Sequence, residues 1–152
     1  MSRRRKAREY ALQLLFGLDI TKDYSGWGSF VHFWADKDDP DDLVEFCRSL
    51  VTGTGENVEA IDEALRGAAE NWSLERMNAV DRNILRLAAY EIMFRPDIPA
   101  SVSINEALEI AKKFSTPDSA SFINGILDRI AKGQTEATRE NLTPAPLLKE
   151  RG

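Results

Sequence analysis

The sequence predicts an all-α protein, a compact bundle of about six or seven helices, and three observations carry that prediction. Apolar residues recur at helical spacing along most of the chain, cap and breaker residues separate those stretches, and no alternating strand pattern of useful length interrupts them. The length of 152 residues suits a single core, and a chain of this size buries roughly 70% of its unfolded surface without needing disulfides or a structural metal.

Each element follows from its own residues. Ala7, Tyr10, Ala11, Leu14, Leu15 and Leu18 share one face of a first helix that Ser2 can cap, so Arg3, Arg4, Arg5, Lys6 and Arg8 fall on its opening turns. Leu12 and Phe16 form an apolar pair on the other side, either covered by a later helix or open to a partner. Trp27, Phe30, Val31 and Trp34 keep the spacing of a short buried helix. Asp39-Pro40-Asp41-Asp42 reads as an N-cap, a proline at the first helical position, and acids facing the positive helix end. Leu43, Phe46, Cys47, Leu50 and Val51 form the apolar face that follows, until Gly53 and Gly55 weaken or break the helix.

Val58, Ile61, Leu65 and Ala68 resume the period towards Trp72. Asn78 offers the next cap, before Ile84, Leu85, Leu87, Ala88 and Ile92, and apolar residues around most of that helix mark it as the central one. Arg95-Pro96 stops it, because proline disfavours helix at the residue before itself. Ser103 and Glu106 match a capping box, with Leu108, Ala111 and Phe114 pointing inward beyond it. Thr116-Pro117-Asp118 opens the last helix, Phe122, Ile123, Ile126, Leu127 and Ile130 face the core, and Gly133 is the expected end.

Composition excludes several functions. No run approaches the roughly 18 apolar residues of a membrane span, and Arg8, Glu9, Gln13 and Asp19 break any signal-like stretch after the basic start. One cysteine, Cys47, and one histidine, His32, are too few soft ligands for a zinc or iron–sulfur site within one chain. His32, among Phe30, Phe33 and Trp34, is expected at the core or its boundary rather than as a catalytic base. Gly53-Thr54-Gly55 lacks both the third glycine and the preceding strand of a dinucleotide loop. Glu106 and Glu109 share a helix face but have no nearby histidine for a di-metal site. No cofactor, metal or catalytic residue is expected, and the reading is a non-enzymatic protein of a reducing compartment, the cytoplasm.

Charge supplies the functional hint. Lys and Arg total 20 against 25 Asp and Glu, a net charge of −5, which disfavours indiscriminate nucleic-acid coating. Arg3, Arg4, Arg5, Lys6 and Arg8 nevertheless concentrate positive charge at one end of an acidic body, an arrangement suited to a directed phosphate contact. The acidic counterpart, Asp36, Asp38, Asp39, Asp41, Asp42 and Glu45, reads as a solvated loop and helix start.

Taken together, Arg4-Arg5-Lys6-Ala7-Arg8-Glu9 with Ala11-Leu12-Gln13, the stretch from Val80 to Glu91, Ile98-Pro99, Ile104-Asn105-Glu106-Ala107 and Phe122-Ile123-Asn124-Gly125-Ile126-Leu127-Asp128 resemble the bacterial transcription antitermination factors of the NusB family. The likeness runs over about residues 3–133. It implies two packed helical subdomains and a NusB-like RNA-binding domain over 1–133; residues 134–152, which lack a periodic face and contain Pro144 and Pro146, read from their own composition as a disordered tail. It implies binding of the single-stranded boxA element of nascent ribosomal RNA together with the ribosomal protein NusE, and, through these, other Nus factors and RNA polymerase. No membrane partner is expected, and the free protein is either a monomer or a homodimer.

By the resemblance, Arg3, Arg4, Arg5, Lys6, Arg8, Arg86, Asp118 and Phe122 would contact RNA, and Phe16 and Asp81 the protein partner. Five phosphate contacts to a single strand would give a log–log salt slope of about −3.5. Periodicity alone fits Phe122 to the core as well as to a base-stacking role, and helix capping alone explains Asp81 and Asp118. Two other readings remain: a purely protein-binding helical adaptor, and the NusB-like accessory domain of some RNA cytosine methyltransferases, though no glycine-rich cofactor loop or catalytic cysteine context appears.

Overall fold

The computed structural model describes residues 2–23 and 32–142. Among them run six α-helices: α1 (Arg3–Thr21), α2 (Asp41–Glu56), α3 (Val58–Ala68), α4 (Ala79–Phe94), α5 (Ala100–Phe114) and α6 (Pro117–Leu142), with a 3₁₀ turn at Leu74–Arg76. Residues 32–34 are also helical; Trp27, Phe30 and Val31, the rest of the expected aromatic helix, lie outside the described residues. The architecture is all-α, as the periodicity predicts.

Helix α4 is central, touching every other α-helix. On one side α1 packs on α2, and α2 meets α3; on the other α5 packs on α6, which returns to touch α3. One continuous apolar core joins both groups. Ala7, Ala11 and Leu15 of α1, Leu50 and Val51 of α2, Ile84 and Leu85 of α4, and Ile123, Ile126 and Leu127 of α6 are all buried in it.

Several ends match their chemistry. The Ser2 hydroxyl accepts from the Arg5 amide, and Asn78 Oδ1 accepts from the Asp81 amide, each satisfying one orphan donor. Lys22 closes α1 in the left-handed region at φ 61°, a position that no glycine marks in the sequence.

Other boundaries differ from the sequence-based expectation. Pro40, not Asp39, occupies the cap position of α2, because the Asp39 carboxylate is drawn to Lys6. Helix α5 begins at Ala100, so Ser103 and Glu106 lie inside it rather than forming a capping box; their side chains are recruited by Glu91 and Arg5. His32 is exposed rather than in the core. Gly53 and Gly55 do not end α2. A Cβ on Gly53 would collide with the Tyr90 ring, so this glycine is what lets α2 close onto α4. Gly133 does not end α6 either. The helix continues through it to Leu142, since one glycine costs only about 1 kcal/mol and the residues after it include good helix formers such as Gln134, Glu136, Ala137 and Arg139.

Candidate functional site

The basic start of α1 divides into an exposed rim and an inner face. On the rim, Arg3 Nη1 donates to both carboxylate oxygens of Asp42, at 3.0 and 2.9 Å. Arg4 is exposed, with its guanidinium 4.2 Å from the centre of the Phe46 ring, and has no carboxylate within 4 Å among the described residues. Lys6 Nζ lies 2.9 Å from Asp39 and over the Tyr10 ring. Hydrogen bonding to Asp39 holds the Lys6 ammonium above its ordinary pKa.

Arg5 stands between the two. Its Nε and Nη2 donate to the two oxygens of Glu106 at 2.9 and 2.8 Å, a bidentate fork that raises the guanidinium pKa and lowers that of Glu106.

Arg8 belongs to the interior. It is 3% exposed, and its Nε and Nη2 donate to Glu91 at 2.8 and 2.9 Å while Ser103 Oγ donates to the same carboxylate. It lies next to buried Ala7 and one turn before buried Leu12, so the face that meets α4 carries it inward. Arg8, expected at the RNA contact, thus lies off the exposed rim, with its donors holding a buried carboxylate.

Arg86 is likewise held inside the bundle. At 7% exposure on the central helix, it pairs with Asp62 of α3 and Asp19 of α1. Asp19 also accepts from Arg82 and Asn83. Burial opposes ionisation of Asp19, but these donors outweigh it and hold the carboxyl far below its usual range. Asp81 is likewise turned inward, 6% exposed, accepting from Ser115, Ser119 and Asn78. It ties the start of α6 to the start of α4.

Asp118 and Phe122 do meet at an accessible place. With Trp72, Arg76, Met77, Asn78, Asp81 and Ser119 they line a cleft of about 490 Å³. Trp72, 58% exposed, meets the half-buried Phe122 ring edge to face at 5.4 Å. A second hollow of about 210 Å³ also borders this aromatic pair, beside Asn71, Gly125 and Arg129. Phe122 thus packs against Trp72 and also borders open space. Trp72 was absent from the expected site. Its only signal is a large aromatic residue just past the end of a helical period, in a chain with three tryptophans.

Phe16 is exposed on α1, and Leu12, its expected partner, is buried. The open strip instead continues to Ile20, one turn further on and also exposed. That residue was legible from its i+4 spacing to Phe16.

Among the described residues, no group of His, Cys, Asp and Glu is arranged to hold a metal ion, and no helix is long and apolar enough to cross a membrane.

Comparison with known proteins places this geometry. The NusB family model matches residues 5–132. The transcription antitermination protein NusB of Desulfitobacterium hafniense (strain DSM 10664 / DCB-2) is 51% identical over 130 residues, covering 85% of this chain and 88% of that one. A crystal form of T. maritima NusB superposes with a TM-score of 0.77 at 40% identity, covering 87% of this chain and 92% of the other. NusB in the crystal structure of antitermination factors NusB and NusE in complex with dsRNA gives 0.78 at 25% identity, covering 88% and 98%. The chain belongs to the NusB family.

Proposed function

We propose that this chain is a cytoplasmic, non-catalytic transcription antitermination factor that binds boxA RNA together with NusE during ribosomal RNA transcription. The observation that carries the reading is family membership over residues 5–132 by a chain whose fold matches a NusB solved with NusE and RNA. Residues 1–133 form the RNA-binding unit in this reading.

The local chemistry supports it. Arg3, Arg4, Arg5 and Lys6 form a cationic edge that can neutralise phosphates and release counterions, the main source of affinity for a polyanion. Trp72 and Phe122 offer rings to an unpaired base, and Asp118 is exposed beside them to accept from base amino groups. Asp81 at the cleft and Glu91 behind the basic edge are ten residues apart on α4, roughly 15 Å along its axis at the helical rise, a separation that a single strand touching both places would span. Phe16 and Ile20 supply an apolar strip for NusE on the outer side of α1.

The test is titration of labelled boxA RNA with and without NusE, across salt concentrations. Affinity rises when NusE is added, and the triple variant Arg3→Ala, Arg4→Ala, Lys6→Ala binds more weakly with a flatter salt dependence. An unaltered slope in that variant would remove RNA contact from the basic edge. One observation favours a second reading, the purely protein-binding adaptor: Arg3, Arg5 and Lys6 already hold carboxylates of this chain. Binding of NusE without any RNA binding at low salt would select it.

A further inference from the structure

The cationic rim does not stand bare. Two of its three outermost charges are held by acids just before and at the start of α2: Arg3 by Asp42 and Lys6 by Asp39. We propose that Asp39 and Asp42 are an internal competitor for the RNA phosphates, which must displace both carboxylates before Lys6 and Arg3 can grip. This inference rests on the RNA-binding reading above.

The two pairs are built to open, and to open in order. Both members of the Arg3–Asp42 pair are well exposed, so water replaces the contact at little cost. Asp42 also keeps a partner when Arg3 leaves, because its Oδ1 accepts from the Leu43 amide in the first turn of α2, where the helix dipole favours a negative charge. The Asp39 side chain is only 6% exposed and is left with poorer solvation when Lys6 departs, so the second pair resists more. Arg5 and Arg8, in bidentate or buried pairs, are not released on this route. Arg4 is where a strand first docks, its guanidinium open to solvent above Phe46. A lone anion can occupy Arg4. Only a chain of phosphates repays opening the pairs on either side of it, so the acids select an extended polyanion over a small one.

Salt dependence carries the signature. Added salt screens the internal pairs as well as the RNA contacts, so the intact protein loses less affinity with salt than one whose cations are free. The experiment compares the intact protein with the double variant D39N/D42N, where the amides keep the shape and remove the charge. The variant D36N/D38N changes net charge equally on the same segment, yet neither residue is paired with Arg3 or Lys6. Labelled boxA RNA is titrated across salt, elution from a heparin column is recorded, and thermal unfolding verifies that each variant is folded.

Expected are RNA binding roughly two- to tenfold tighter for D39N/D42N at low salt, a log–log slope steeper by up to about 1.4, later elution from heparin, and a smaller effect of D39N alone that exceeds that of D42N alone. D36N/D38N shows less of each. Equal RNA affinity and slope in the intact protein and D39N/D42N overturns the competitor and leaves the RNA reading intact; equal gains in both double variants also overturn it, since net charge then suffices. If no protein binds RNA but heparin elution shifts for D39N/D42N alone, the competitor stands and the RNA reading falls; no shift in either assay removes both.

Discussion

Arg4 and Arg8 sit one turn apart on α1 and over the same Phe46 ring, at 4.2 and 5.3 Å, yet they belong to different regions of the molecule. The rim that carries Arg4 faces water, and the inner face that carries Arg8 meets α4 and the Glu91 carboxylate. Identical side chains therefore do unlike work. Inside, a guanidinium organises the fold by satisfying a buried acid; outside, it stays available to a ligand whose charge it complements. Burial and the fixed partner decide the role, not the residue type.

The largest effect that can break this contrast is on stability. Arg8→Ala leaves Glu91 buried and unpaired, and a loss of about 3–5 kcal/mol is expected in urea unfolding, against about 0.5 kcal/mol or less for Arg4→Ala. Similar midpoints for the two variants would erase the distinction between rim and interior.

Acid unfolding probes the far end of the same inner face. Asp19 is held below the usual carboxylate range when folded, so its contribution to stability is complete above its unfolded pKa of about 3.9 and fades as pH falls through the lower, folded value. The intact protein should lose stability below about pH 4, and Asp19→Asn should flatten that limb of a urea-midpoint series while lowering the plateau near neutrality. Curves that merely shift in parallel would show that Asp19 is not the group responsible.

Glycines sharpen the comparison without touching charge. Gly53→Ala drives a methyl group into Tyr90 between α2 and α4, with an expected cost of about 1–3 kcal/mol. Gly133→Ala meets nothing within 4 Å and should stabilise α6 by up to about 1 kcal/mol. Thermal midpoints moving in the same direction would contradict the packing described.

A smaller effect concerns RNA. With Arg5 and Arg8 held in pairs within the chain, three rim contacts at about −0.7 each set a limiting salt slope near −2.1 rather than −3.5; a slope at the steeper value would mean that further cations join. Finally, burial pushes the Cys47 thiol up to about 12, so the native protein should leave a disulfide reagent unreacted at pH 8 and react only on unfolding. Rapid labelling of native protein would show that α2 opens there.

Much of the fold was legible because it depends on local periods. The faces of α1, α2, α3, α4 and α6, the Asn78 and Ser2 caps, and the stop at Pro96 follow from neighbours a few residues apart. Errors arose where a distant partner outbid the local one. Ser103 and Glu106 have the spacing of a capping box, but Glu91 and Arg5 lie 12 and 101 residues away and take them. Asp39 was given to its own helix and is held by Lys6. Site residues suffered similarly: Arg8, Arg86 and Asp81 look like surface charges in a one-dimensional reading, and only the packing of α1 and α3 on α4, and of α6 beside Asp81, shows them enclosed.

The sequence by itself determined the helical class, the central apolar helix, the concentration of positive charge at one end and the family likeness, since periodicity, composition and motif order are written along the chain. Tertiary structure alone decided which cations face water, which acids hold them, and that Trp72 joins Phe122 over a cleft. The reason is physical: a charge's availability depends on desolvation and on the nearest opposite charge, and both are set by segments that fold against it from far along the chain.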